Sequence, residues 1–223
     1  MTYIPPLDES QARPKLPRPL DATEIRVLGS LMEKQMATPE YYPLTLNALV
    51  AACNQKTNRE PVLDLAEDEV LKALERLQEE KLAWKVMGGR ALRFDHNLDR
   101  VWHLTKPEKA LLALLFLRGP QTAGELRGRS DRLHAFESVA EVEQALRDMS
   151  AESEPLVAPL PRRPGQKEER WSHLAGGAVE AAAPEEHEPQ AHAEPLSVRL
   201  ARLEQQVSAL AAEFSALKSK LGE

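Results

Sequence analysis

Cysteine is nearly absent from this chain. It has one in 223 residues, so no intramolecular disulfide can form. Cys53 lies beside Leu49, Val50 and Ala51, a setting for a buried structural thiol rather than a nucleophile. Long apolar runs are also missing, and none approaches the roughly 20 residues that cross a bilayer. Met1–Pro19 has no apolar centre with a basic flank, so no secretory signal is expected. A chain without signal or disulfide is expected in the cytoplasm, away from the membrane. No glycine-rich phosphate loop occurs, because the ten glycines are scattered or paired in turns. His96, His103, His134, His173, His187 and His192 lack the helical spacing or cysteine partners of a zinc site. Glu79-Glu80 and Glu168-Glu169 are adjacent carboxylates that would point apart on a helix or strand. No serine, threonine or cysteine nucleophile stands with a base. The expectation is a non-enzyme without metal or cofactor.

An excess of positive charge is lacking as well. Lys and Arg number 29 against 35 Asp and Glu, a net charge of −6. Such a chain has no global field that favours nucleic acid. The imbalance is local. Residues 20–104 hold 11 basic and 14 acidic side chains, 105–174 hold 11 of each, and 175–223 hold 4 and 8.

What is present centres on Glu67–Phe94. Val70, Leu71, Leu74 and Leu77 recur at helical spacing through Glu67–Glu80. Leu82, Trp84 and Val86 then alternate like a strand, and Gly88-Gly89-Arg90 turns the chain into Ala91–Phe94. A helix followed by a short hairpin is how a winged-helix module ends. Upstream, Asp21 with Glu24 is a capping-box pattern for a helix that stops before Pro39. Thr45 caps a second helix reaching about Asn54. Val62-Leu63 is expected to be a short strand closing the sheet. Asp64 with Glu67 is one possible cap for the third helix, Ala66 being a poor one.

The pattern recurs. Leu20-x3-Glu24-x2-Val27-Leu28-x2-Leu31 is echoed by Leu104-x3-Glu108-x2-Leu111-Leu112-x2-Leu115. Glu69-Val70-x2-Ala73-Leu74-x2-Leu77 is echoed by Glu141-Val142-x2-Ala145-Leu146-x2-Met149. Two matches in the same order predict a tandem duplication. The second copy is expected as a helix over Thr105–Leu117 and a short helix over Ala123–Arg127. A third helix over Val139–Met149 and hairpin arms at Leu156–Leu160 and Glu169–Leu174 complete it.

The flanks differ in kind. Residues 1–19 read as a disordered, proline-rich arm, and Ala175–Pro195 as a flexible acidic linker. Beyond it, Leu196, Leu200, Leu203, Val207, Leu210, Phe214, Leu217 and Leu221 alternate at steps of four and three. That heptad predicts a coiled-coil helix over 196–223 and self-association into a homo-oligomer. Phe214 fits a tight dimer poorly, so a trimer or an intramolecular contact stays open. The fold expected is mainly α with small β-hairpins, an α+β chain. Winged-helix domains span 20–100 and 101–174, followed by the heptad helix.

Residues 20–174 resemble the YceH family of uncharacterised bacterial proteins. The resemblance rests on Leu20–Lys34, on Tyr42-Pro43-Leu44-Thr45-Leu46-Asn47 and above all on Ala52-Cys53-Asn54-Gln55-Lys56-Thr57-Asn58-Arg59-Glu60-Pro61-Val62. It implies a tandem winged-helix fold and carries over no activity, ligand or catalytic residue. Family members often have serine where this chain has Ala66.

Duplex DNA is held largely by Lys and Arg at phosphates. The helix Glu67–Glu80 sets Lys72 and Arg76 against six carboxylates, and Ser138–Ser150 sets Arg147 against three. The candidate contacts therefore lie in loops and wings. They are Lys56, Asn58 and Arg59; Lys85, Arg90 and Arg93; Arg127, Arg129 and Arg132; and Arg162, Arg163, Lys167 and Arg170. A DNA-binding transcriptional regulator is the first expectation. A scaffold that binds protein partners through its winged helices and coiled-coil tail is the alternative. Asn58 and Arg59 have a second reading, as residues that hydrogen-bond their loop to the first wing.

Overall fold

A computed structural model describes residues 14–88, 91–162 and 168–177. All lie in one compact unit, 1–181. The heptad positions Leu196, Leu200, Leu203, Val207, Leu210, Phe214, Leu217 and Leu221 fall outside the described residues, as do most of the acidic linker and Met1–Arg13.

The chain is a mixed α+β structure in which one order of elements occurs twice. The first copy is α1 (Ala22–Ala37), β1 (Leu44–Thr45), α2 (Leu46–Cys53), α3 (Glu67–Glu79), β2 (Ala83–Gly88) and β3 (Ala91–His96). A short helix α4 (Leu98–Val101) leads onward. The second copy is α5 (Lys106–Arg118), β4 (Gln121–Thr122), α6 (Ala123–Ser130), α7 (Val139–Ala151), β5 (Val157–Leu160) and β6 (Arg170–His173). Each copy holds a three-stranded antiparallel sheet, in the order β1-β3-β2 and β4-β6-β5.

Local chemistry sets most boundaries. Asp21 accepts from the Glu24 N–H while the Glu24 carboxylate accepts from the Asp21 N–H, a complete capping box. Thr45, Thr122 and Ser138 cap α2, α6 and α7 through their hydroxyls. Gly119, at φ 68°, ends α5 in the left-handed region that glycine enters without steric cost. Two expectations need correction. The third helix starts at Glu67 with Ala66 at its cap, not Asp64, because the Glu69 carboxylate takes the Ala66 N–H at 2.7 Å. The edge of the first sheet is Leu44–Thr45, not Val62-Leu63. Leu44 buries its side chain while Val62 is exposed. Side chains, rather than strands, hold the stretch 61–65: Arg26 donates to the Pro61 carbonyl, and Asn54 bonds both backbone groups of Leu65.

The two copies meet through α1 and α5. Glu24–Met32 of α1 are buried without a break, as are Ala110–Leu117 of α5. A helix covered on every side is a core helix rather than a surface one. Gly29 lets the pair close. A Cβ built there would stand 2.8 Å from Phe116 Cβ and 3.1 Å from two atoms of Leu117. Trp102, at the end of α4, is buried and meets the Phe116 ring edge-on. Leu16 packs onto the same core, and the Leu20 N–H donates to the Ala175 carbonyl at 2.8 Å. The end of the proline-rich arm is thus docked rather than solvated.

Gly29→Ala is expected to lower stability by about 1–3 kcal/mol, since overpacking at a fixed Cβ outweighs the roughly 1 kcal/mol alanine gains in helix propensity. Urea unfolding of the two proteins checks this, and an unchanged or raised midpoint would refute it.

Candidate nucleic-acid interface

The loop 54–61 holds the most specific run of the sequence; most of it faces solvent, but Arg59 is turned inward and buried. The last carbonyls of α2 need donors, as at any helix end. Arg59 supplies one, its Nε donating to the Ala52 carbonyl at 3.0 Å. Arg26 of α1 supplies another, its Nη1 reaching the Cys53 carbonyl at 3.0 Å. The Arg59 fork also closes on Glu33 at 3.1 and 2.7 Å, with its side chain fully buried. Asn58 sits at φ 58°, a left-handed position that asparagine tolerates. Its side-chain oxygen accepts from Arg118 at 3.2 Å. Next to it the Glu60 N–H donates to the Leu117 carbonyl at 2.9 Å. Arg118 and Leu117 belong to α5, so this loop fastens the first copy to the second. It holds α1 and α5 rather than the first wing.

The other candidates divide into engaged and free cations. Arg93 Nη1 donates to the Pro43 carbonyl at 2.6 Å, bracing β3 against the start of β1. Arg129 donates to Gln121 at 2.6 Å and pairs with Glu125. Arg170 bonds the Pro120 carbonyl and pairs with Glu125 at 3.3 Å. Arg127 is exposed and makes one bond, at 3.2 Å, to the Glu137 carbonyl. Lys56, Lys85, Arg132 and Arg162 are exposed and make no hydrogen bond or ion pair among the described residues. Arg90, Arg163 and Lys167 lie outside those residues. Of the exposed cations, Arg127 and Arg132 flank the turn between α6 and α7. Nothing in the sequence separated them from their engaged neighbours, because the partners of Arg93 and Arg170 are fifty positions away.

The third helices are acidic outward. Glu67, Asp68, Glu69, Glu75 and Glu79 are exposed on α3, and Arg76 turns back to Asp21 and Glu24. Glu24, with a fully buried side chain, also takes Arg18 at 2.7 Å. Burial alone would raise its pKa. The Arg18 guanidinium, the Asp21 N–H and Arg76 outweigh burial and hold it below the usual carboxylate range. His96 is buried and His173 half-buried, and neither has a compensating anion strong enough to charge it. Burial pushes His96 down to about 4 against the pull of Asp99 and Asp95, and His173, edge-on to Phe116, also to about 4. The Gln35 oxygen lies 3.0 Å from the His96 ring nitrogen and accepts from Lys109, which also pairs with Asp99.

Residues 20–166 match the family described as protein of unknown function, DUF480. The chain belongs to that family. It is 50% identical over 195 residues to a UPF0502 protein of Geobacter metallireducens, covering 84% of this chain and 88% of the relative. A UPF0502 protein of Chromobacterium violaceum is 45% identical over 208 residues, covering 91% and 92%. One from Burkholderia orbicola is 43% identical over 217 residues, covering 94% and 92%. The DUF480 match takes in both copies up to the second hairpin tip. It therefore spans the joint formed by Asn58, Arg59 and Glu60 with α5. No described helix is long and apolar enough to cross a membrane.

In this DUF480 chain Arg59→Ala would take from the half-buried Glu33 its two-bonded partner, leaving it Lys34 at 3.5 Å, and would strip the Ala52 carbonyl of its donor. It is expected to cost about 2–4 kcal/mol, whereas Lys56→Ala in the same loop stays within about 0.5 kcal/mol. Equal unfolding midpoints for the two variants would refute this. The histidines set a pH dependence. With folded pKa values near 4 against the usual 6.5, the unfolded chain binds protons first. Stability is then complete above about pH 6.5 and falls as the pH drops toward 4. Urea midpoints at pH 7 and pH 4.5 check the sign. Histidine Cε1 signals should show two rings still neutral at pH 5.5.

Proposed function

We propose that this DUF480 chain is a DNA-binding protein of two winged-helix modules, acting as a cytoplasmic transcriptional regulator through loops and wings. The element order, helix, strand, helix, helix and hairpin with a three-stranded sheet, fits the winged variant of helix-turn-helix proteins. The resemblance to the YceH family points the same way. The observation that carries the reading is the set of unneutralised cations in the second copy. Arg127 stands in the last turn of α6, Arg132 in the α6–α7 turn and Arg162 just past β5, toward the tip of the second hairpin, each exposed and without a carboxylate partner among the described residues. Phosphate is the ligand such side chains suit. The acidic faces of α3 and α7 are unsuited to lie against DNA. Self-association through the heptad over 196–223 would place two such sets on one duplex and raise avidity.

A second reading has its own observation. Met87 is 81% exposed and stands directly opposite Leu92, 41% exposed, near the tip of the first hairpin. An apolar pair there suits a protein partner, as in a scaffold, better than a phosphate.

Fluorescence anisotropy with labelled duplex DNA at two salt concentrations separates the readings. The DNA reading expects binding at low salt that weakens as salt rises. Replacing Arg127 and Arg132 together by alanine should weaken it across sequences and flatten the log–log salt slope by roughly 2. No binding even at low salt would remove it. Met87→Ser should leave DNA affinity unchanged and weaken capture of a protein partner if the scaffold reading holds.

A further inference from the structure

A cavity of about 390 Å³ lies where the docked arm crosses the second copy. Trp102 lines it together with Leu156 and Leu174 from the base of the β5–β6 hairpin, and Pro17 of the arm. Arg18 lines it too, but its charge is satisfied. Its Nη atoms donate to the Glu24 carboxylate at 2.8 and 2.7 Å, and its Nε stands 3.3 Å from Glu80. Two other charged side chains line the cavity, Lys15 and Glu154. Neither makes an ion pair or hydrogen bond among the described residues, with each other or with anything else.

Size and lining are those of a small-molecule site: a few hundred cubic ångströms, mostly apolar walls and a small number of polar groups that fix orientation. The polar groups here are of opposite sign. Lys15 is exposed and Glu154 half-buried, so an apolar molecule alone would engage neither charge, and a simple acid or amine would engage only one. A small molecule that carries an ammonium, a carboxylate and an apolar side chain answers all three features.

We propose that this cavity binds a free amino acid of the apolar class, its carboxylate on Lys15, its ammonium on Glu154 and its side chain beside Trp102, Leu156 and Leu174. The site stands independently of DNA binding. Its occupancy would nevertheless bear on the first copy. The cavity wall includes Arg18, Arg18 holds Glu24, and Glu24 receives Arg76 of α3 at 3.0 Å. Two ion pairs thus run from the cavity wall to the third helix.

Isothermal titration of the full chain with L-phenylalanine and L-leucine tests the site, beside 3-phenylpropanoate, which lacks the ammonium, and phenethylamine, which lacks the carboxylate. At least one amino acid should bind saturably. Each analogue should bind about fivefold or more weakly, the loss of one charge-assisted contact. Lys15→Gln should remove the discrimination against phenethylamine, and Glu154→Gln that against 3-phenylpropanoate. Both residues lack partners among the described residues, so both variants should keep the unfolding midpoint of the parent. Absence of binding for both amino acids at millimolar concentration would overturn the proposal, including the case in which the chain's own flanks fill the cavity. Equal binding of amino acid and analogues would overturn it as well, since the cavity would then be an apolar one without charge recognition.

Discussion

Everything else in this molecule depends on how closely α1 and α5 approach. Two helices buried along eight or nine consecutive residues cannot be surface elements of separate bodies. Each is the core helix of its own copy and a wall of the other. Gly29 sets the separation, because the Phe116 Cβ stands where a side chain would begin. Packing at that density transmits displacement instead of absorbing it. The two hairpins are therefore carried on one rigid centre.

The polar chemistry of the core serves the same end. Charged groups are buried only where a partner removes the penalty of leaving water. Glu24 is held between Arg18 of the arm and Arg76 of α3, Arg59 between Glu33 and the end of α2, and Arg26 on two carbonyls. These contacts are directional where apolar packing is not, so they fix register. They tie the arm, α1, α2 and α3 into one arrangement. The Asn58 and Glu60 contacts extend it to α5.

Helix starts were readable because capping is local. Asp21 with Glu24, Thr45, Thr122 and Ser138 each act within three residues. The run Ala110–Leu117 is apolar throughout, which agrees with its burial on all sides. The short strands were not readable. Leu44–Thr45 is too brief to show a period, and its partner Phe94 lies far along the chain. That is why Val62-Leu63, apolar and β-branched in part, looked like the better edge. For the candidate interface the difficulty was of the same kind. Arg59 and Lys56 look equivalent in a polar loop, and only the position of Glu33 across the fold makes one a core residue and leaves the other in water. Positive charge can be counted from a sequence. Its availability depends on carboxylates and carbonyls that folding brings from elsewhere.

The close packing at Gly29 has a consequence for synthesis. Once the chain has emerged past His96 the first copy has the strands of its own sheet, yet the side of α1 that α5 covers is still bare. The surface around Gly29 stays uncovered until Phe116 and Leu117 emerge. Contacts between such distant segments form late and slowly. Like charge on exposed side chains opposes association of such a chain, and α3 carries five exposed carboxylates, Glu67, Asp68, Glu69, Glu75 and Glu79. Acidity that is poorly suited to a groove of DNA would then protect the half-made chain.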